Sequence, residues 1–138
     1  LARPERIKAL VLLAPAPDFT DKLMWASFDD SQKRQIMEDG LWTRPSPYDA
    51  AGYPITRGLI EDGRNHLLAR EPFDPGRPIA ILQGLQDPDV PAAHTRELTE
   101  FLTGGHVKLV EIADGEHRLS RPQDLEMLAK AVLAMVEG

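Results

Sequence analysis

The chain has 138 residues, 42% of them hydrophobic and 28% charged, with no cysteine and a formal net charge of -6. This composition reads as one ordinary soluble domain; acids and bases are interspersed, which leaves no basic stripe for nucleic acid, and no run of about 18 apolar residues is present to span a bilayer. Lack of cysteine excludes a disulfide framework, thiolate metal sites and a cysteine nucleophile, and it favours a reducing compartment, the cytoplasm.

In chain order, residues 1–6 read as the tail of a helix begun upstream. Residues 7–14 form a nearly continuous apolar run closed by Pro15-Ala16-Pro17, the pattern of a strand buried on both faces. Residues 19–73 are too long for a simple loop. Within them 21–28, 31–39 and 57–69 are predicted helical, while 42–55, broken by Pro45, Pro47, Gly52 and Pro54, reads as turns or a short hairpin. Between residues 21 and 69 five aromatic residues gather, Trp25, Phe28, Trp42, Tyr48 and Tyr53, most of them needed for that segment's own small core.

Residues 78–84 give a second strand. A helix follows over 91–102, with Leu98, Phe101 and Leu102 at helical spacing and Gly104-Gly105 as its stop. Residues 107–113 give a third strand. Pro122 opens a final helix with Leu125, Leu128, Val132 and Met135 as its apolar stripe. Strands separated by helices imply a parallel sheet covered on both faces, an α/β fold. The predicted organisation is a core of residues 1–18 and 74–138 interrupted by a mainly helical insertion over 19–73. The first strand would expose an apolar edge unless another strand paired with it, so the chain reads as starting within a domain.

Functional groups of open parallel sheets gather at the carboxyl ends of the strands. Two loops there carry chemistry, Gly84-Leu85-Gln86-Asp87-Pro88-Asp89-Val90-Pro91 and Asp114-Gly115-Glu116-His117-Arg118-Leu119-Ser120. Asp87 and His117 are placed for a carboxylate–imidazole contact, in which the carboxylate holds the histidine tautomer and stabilises the imidazolium formed when it takes a proton. Asp87 could instead cap the helix that follows, a task for which Asp89 also stands ready; Asp89 is the second candidate for the acid. His66, His94 and His106 read as solvated. Asp114, Glu116 and His117 lack a matching second group of ligands, so no metal site is expected. Arg118 and Arg121 either meet an anionic substrate or pair with Asp114, Glu116 and Asp124. Arg57, Glu61, Asp62 and Arg64 read as a solvated or salt-bridged helix face.

Gly84, Asp87, Val90 and Pro91, followed by Gly115 and His117, resemble the acid and histidine loops of the α/β-hydrolase superfamily. The segments 13–20, 53–64 and 114–120 resemble its mitochondrial depalmitoylating thioesterase branch and bacterial relatives of that branch, and the resemblance covers essentially the whole chain. It implies the C-terminal part of an α/β-hydrolase fold with a cap over 19–73, catalytic Asp87 and His117, no cofactor, and an acyl ester or thioester substrate. It also implies a nucleophilic serine in a Gly-x-Ser-x-Gly elbow. No such elbow exists here: Ser27, Ser31, Ser46 and Ser120 lack the flanking glycines. The expected partner is therefore the N-terminal half of the same fold, and the 138 residues alone are expected to be inactive. The alternative is a non-catalytic module of the same fold that binds a ligand or partner.

Overall fold

The computed structural model describes residues 3–46, 49–68 and 71–137. It divides into two compact units, Leu1–Ala16 with Ala69–Gly138, and Pro17–Leu68.

The first unit is a parallel sheet of β1 (Leu10–Leu13), β4 (Ile79–Gly84) and β5 (Val107–Ile112) in the order β1-β4-β5, with α3 (Ala92–Phe101) and α4 (Pro122–Glu137). Alternation along the strands sorts the side chains by face. Ile79 and Ile81 pack with Leu10, Leu12, Val107, Leu109 and Leu98 of α3, whereas Leu82 and Ile112 pack with Val11, Val110 and Met127, Leu128 and Ala131 of α4. One helix therefore covers each face, which is the α/β layering expected. All six residues of β4 are buried; truncating Ile81 to alanine there would cost about 2–5 kcal/mol.

Three expectations need correction in this unit. β1 is only half-buried, and Leu13 is 39% exposed, because β1 is the edge of the described sheet and β4 is its centre. On α4 the face turned to the sheet carries Asp124, Met127, Leu128 and Ala131, while Leu125 and Val132 from the expected stripe are exposed. The helix bears two overlapping apolar stripes, and the one that packs on the sheet lies on the same face as the buried Asp124 carboxylate, which Arg121 holds. Finally, Pro4–Arg6 forms one 3-10 turn rather than a helix tail, and Leu1 and Ala2 lie outside the described residues.

The second unit begins with a π-helical segment, Thr20–Trp25, followed by α1 (Asp30–Glu38). Asp29 and Gln32 close a reciprocal capping box at the start of α1. β2 (Leu41–Arg44) and β3 (Tyr53–Thr56) then pair as an antiparallel hairpin; Pro47 and Tyr48 of its connection lie outside the described residues. Thr56 caps α2 (Arg57–Gly63), which tightens into a 3-10 turn at Arg64–His66, so the helix ends short of the expected boundary at residue 69, itself outside the described residues. Phe28, Ile36, Ile55 and Ile60 form the core with Trp25 and Trp42 against it, and the Phe28 and Trp42 rings meet edge-on at 5.2 Å. The charged face of α2 is salt-bridged: Arg57 pairs with Glu61, and Arg64 with Asp21 while lying over the Trp25 ring. Asp18 ties the two ends of the unit, its Oδ1 accepting the Leu68 N–H at 2.6 Å.

Candidate active site

The carboxyl ends of β4 and β5 are drawn together by backbone. The Leu85 N–H donates to the Ile112 carbonyl and the Gln86 N–H to the Gly115 carbonyl, both at 2.9 Å. Such an approach leaves no room for side chains. A Cβ added at Gly84 would sit 2.3 Å from the Gly115 oxygen, and one added at Gly115 would sit 2.8 Å from Leu119 Cδ2 and 3.0 Å from Gly84 Cα. The two motif glycines thus face each other, and they let the Asp87 and His117 loops touch.

Asp87 follows β4 with its side chain fully buried. Its Oδ1 accepts the backbone N–H groups of Asp89 at 2.8 Å and Val90 at 2.9 Å, and its Oδ2 lies 2.9 Å from His117 Nδ1. Burial pushes the Asp87 carboxyl up, but the Val90 N–H, the His117 ring and the Asp89 N–H together outweigh it and hold the group below its ordinary value. The carboxylate that reaches His117 is that of Asp87, not Asp89. Neither residue caps α3, whose N-cap is Pro91 with no side-chain hydrogen bond.

The His117 side chain is 42% exposed. With Nδ1–H given to a carboxylate, its Nε2 is left as the basic nitrogen. The loop carrying it is closed at its far end by Arg121. The Arg121 guanidinium donates to both Asp114 and the buried Asp124, and its backbone N–H donates to Asp124 Oδ2. Hydrogen bonds from Arg121 hold the carboxyls of Asp114 and Asp124 below the ordinary range. The pairing reading for Arg121 therefore holds with Asp114 and Asp124. Leu119, at φ 42 and 2% exposed, anchors the loop in the core beneath His117.

Among the described residues, Asp87, Asp89 and His117 have ligand atoms within 4.8 Å of one another. A cation there would compete with three hydrogen bonds already made to Asp87. Of the other histidines, His66 and His106 are exposed, but His94 is buried. The reason is helical spacing: His94, Thr95 and Leu98 share the face of α3 that packs on the sheet. A cavity of about 600 Å³ lined in part by Arg6, Lys8, Asp74, Arg77 and His106 opens at the amino ends of the strands, the opposite end of the sheet from Asp87 and His117.

Gln83 carries no role in the sequence reading, yet it is wholly buried in β4 and reaches the acid loop. Its Nε2 donates to the carbonyls of Gly84 at 2.9 Å and Val90 at 3.0 Å, and its Oε1 accepts the Thr95 hydroxyl at 2.6 Å. The signal available beforehand was a lone amide inside an otherwise apolar run, one residue before the motif glycine.

A parallel sheet flanked by helices, with a buried acid and a histidine paired across adjacent strand ends, is α/β-hydrolase architecture. The chain has that fold and is homologous to α/β-hydrolases. It is 30% identical over 129 residues to palmitoyl-protein thioesterase ABHD10, mitochondrial, of Mus musculus, a match covering 93% of this chain and 43% of that protein. The matched part is the C-terminal half of the relative. A crystal structure of an Agrobacterium vitis S4 protein superposes with a TM-score of 0.86 at 41% identity, over 93% of this chain and 49% of the other. Alpha/beta hydrolase domain-containing protein 10 from mouse gives 0.85 at 25% identity, over 99% and 54%. The chain thus spans about half the length of the relatives it matches. No protein-family model matches it. Among the described residues, no helix is long and apolar enough to cross a membrane.

Proposed function

We propose that these residues supply the acid and base of a serine hydrolase acting on acyl esters or thioesters, with the nucleophilic serine in the N-terminal half of the same hydrolase fold. The observation that carries this reading is the 2.9 Å contact between His117 Nδ1 and a fully buried Asp87 carboxylate, which leaves Nε2 on a side chain still partly open to solvent. His117 Nε2 takes the serine proton as Oγ attacks the acyl carbon. Asp87 stabilises the imidazolium so formed, and the proton then passes to the departing alkoxide or thiolate. In the second half of the cycle His117 takes a proton from water as its oxygen attacks the acyl carbon, then returns that proton to the serine Oγ as the Oγ–C bond breaks and the acid leaves. The residues need no cofactor for these steps.

The thioester alternative is supported by the mouse relative, a palmitoyl-protein thioesterase. The insertion over residues 19–73 serves as the cap. Its Trp25, Phe28 and Trp42 are committed to its own core, whereas Tyr53 is 51% exposed. Without the serine, the 138 residues alone turn nothing over.

The test uses a chain extended to include the preceding half. His117→Ala should lower turnover on the order of 10⁶-fold while the protein stays folded and a fluorophosphonate probe titrates one serine in the parent. A variant with parental activity sinks the assignment. An acyl-chain-length series on the parent, read with oxygen and sulfur esters, then fixes the substrate class.

A further inference from the structure

We propose that Gln83 is a positioning residue for Asp87, and that Thr95 sets the orientation of its amide. The inference rests on the reading of Asp87 as the acid of the triad. Gln83 lies in the central strand at 0% exposure, where an amide without partners is costly. Its amide faces two carbonyl oxygens, Gly84 O and Val90 O, which only accept, so the nitrogen must point toward them and the oxygen toward Thr95. The Thr95 hydroxyl, itself fully buried, donates to that oxygen.

Val90 is where this network meets the chemistry. Its carbonyl is held by Gln83 Nε2, and its N–H donates to Asp87 Oδ1. Pro91 follows it and restricts Val90 to extended backbone, so fixing the carbonyl also fixes where the N–H points. Asp87 is thereby oriented through a chain running from Thr95 on α3, through Gln83 on β4, to Val90 in the acid loop. The oxygen that meets His117 is the other one of the same carboxylate, so a turn of Val90 would rotate the carboxylate under the imidazole. An apolar residue at position 83 would satisfy the burial of β4 equally well; what it could not do is hold the loop.

The experiment uses the intact, serine-containing protein and compares Gln83→Leu, Thr95→Val, Thr95→Ser and Asp87→Asn. Gln83→Leu should lower kcat about ten- to hundredfold, the loss expected of a strong buried hydrogen bond, with KM within about twofold. The Nδ1 proton resonance of His117 should broaden or shift relative to the parent. Thr95→Val should move both readouts the same way to a smaller extent, and Thr95→Ser, which keeps the hydroxyl, should restore them. If Gln83→Leu fails to fold, the Thr95 pair decides alone. Parental kcat and an unchanged Nδ1 resonance in the loop-network variants, with only melting temperature lowered, would overturn the positioning role. Parental kcat in Asp87→Asn instead overturns the reading of Asp87 as the acid, so the two failures are distinct.

Discussion

At the scale of single residues, Asp87 is the group whose environment does most. Its carboxyl is held below its ordinary value, so the folded state favours the ionised form. The stability it contributes is present above the unfolded carboxylate value of about 3.9 and disappears as pH falls through the depressed folded value. Asp87→Asn should therefore be less stable than the parent by a constant margin at neutral pH, and the margin should shrink below about pH 4; urea melts across that range measure it. The paired glycines offer a steric counterpart. Gly84→Ala brings a methyl group against the Gly115 carbonyl, which should destabilise by about 1–3 kcal/mol and, in the serine-containing protein, reduce turnover by about a hundredfold through displacement of the two loops. Retention of both properties would show that the loops are less tightly coupled than their hydrogen bonds imply. Asp87, His117 and both glycines were legible in the sequence because motif spacing exposes them. Gln83 and His94 were not, since a polar residue in an apolar stretch is assigned a partner only when the fold brings one to it.

At the scale of elements, the final helix is the instructive case. Two apolar stripes overlap on α4, and sequence periodicity does not choose between them. The sheet takes Met127, Leu128 and Ala131, and Asp124 is buried on the same face, its carboxylate accepting from both the guanidinium and the backbone N–H of Arg121 at the helix start. Because Arg121 also closes the His117 loop through Asp114, the same group orients a helix and a candidate catalytic loop. Asp124→Ala should lower the melting temperature and raise hydrogen exchange at Leu125, whose N–H donates to the Arg121 carbonyl in the first turn; an unchanged exchange rate there would remove this tie from the account. The hairpin of β2 and β3 was open in the sequence as turns or strands, because four breakers obscure its alternation, and the pairing of Trp42 with Ile55 against the Phe28 core decides it.

At the scale of the whole molecule, the outer edge of β1 and the exposed residues Val132, Leu133 and Val136 of α4 border a mainly apolar groove lined by Ile7, Val11, Val132, Met135 and Val136 together with Arg6 and Lys8. Under the proposed function this surface receives the N-terminal half of the fold. The 138-residue segment alone should then self-associate and bind a hydrophobic dye, Val136→Lys at the exposed rim of the groove should reduce both, and a chain carrying the preceding half should do neither; sizing chromatography and dye fluorescence read the outcome. Periodicity, turn residues and motif order were enough to determine the three strands, the two core helices and the pair Asp87–His117, because those signals are local and the chemistry sits where strands end. Which strand is central, which face of α4 is buried, and that Gln83 and Thr95 support the acid loop were decided only by tertiary structure. Each depends on a partner brought near by folding, a neighbouring strand, a sheet face or a carbonyl, that the local pattern does not contain.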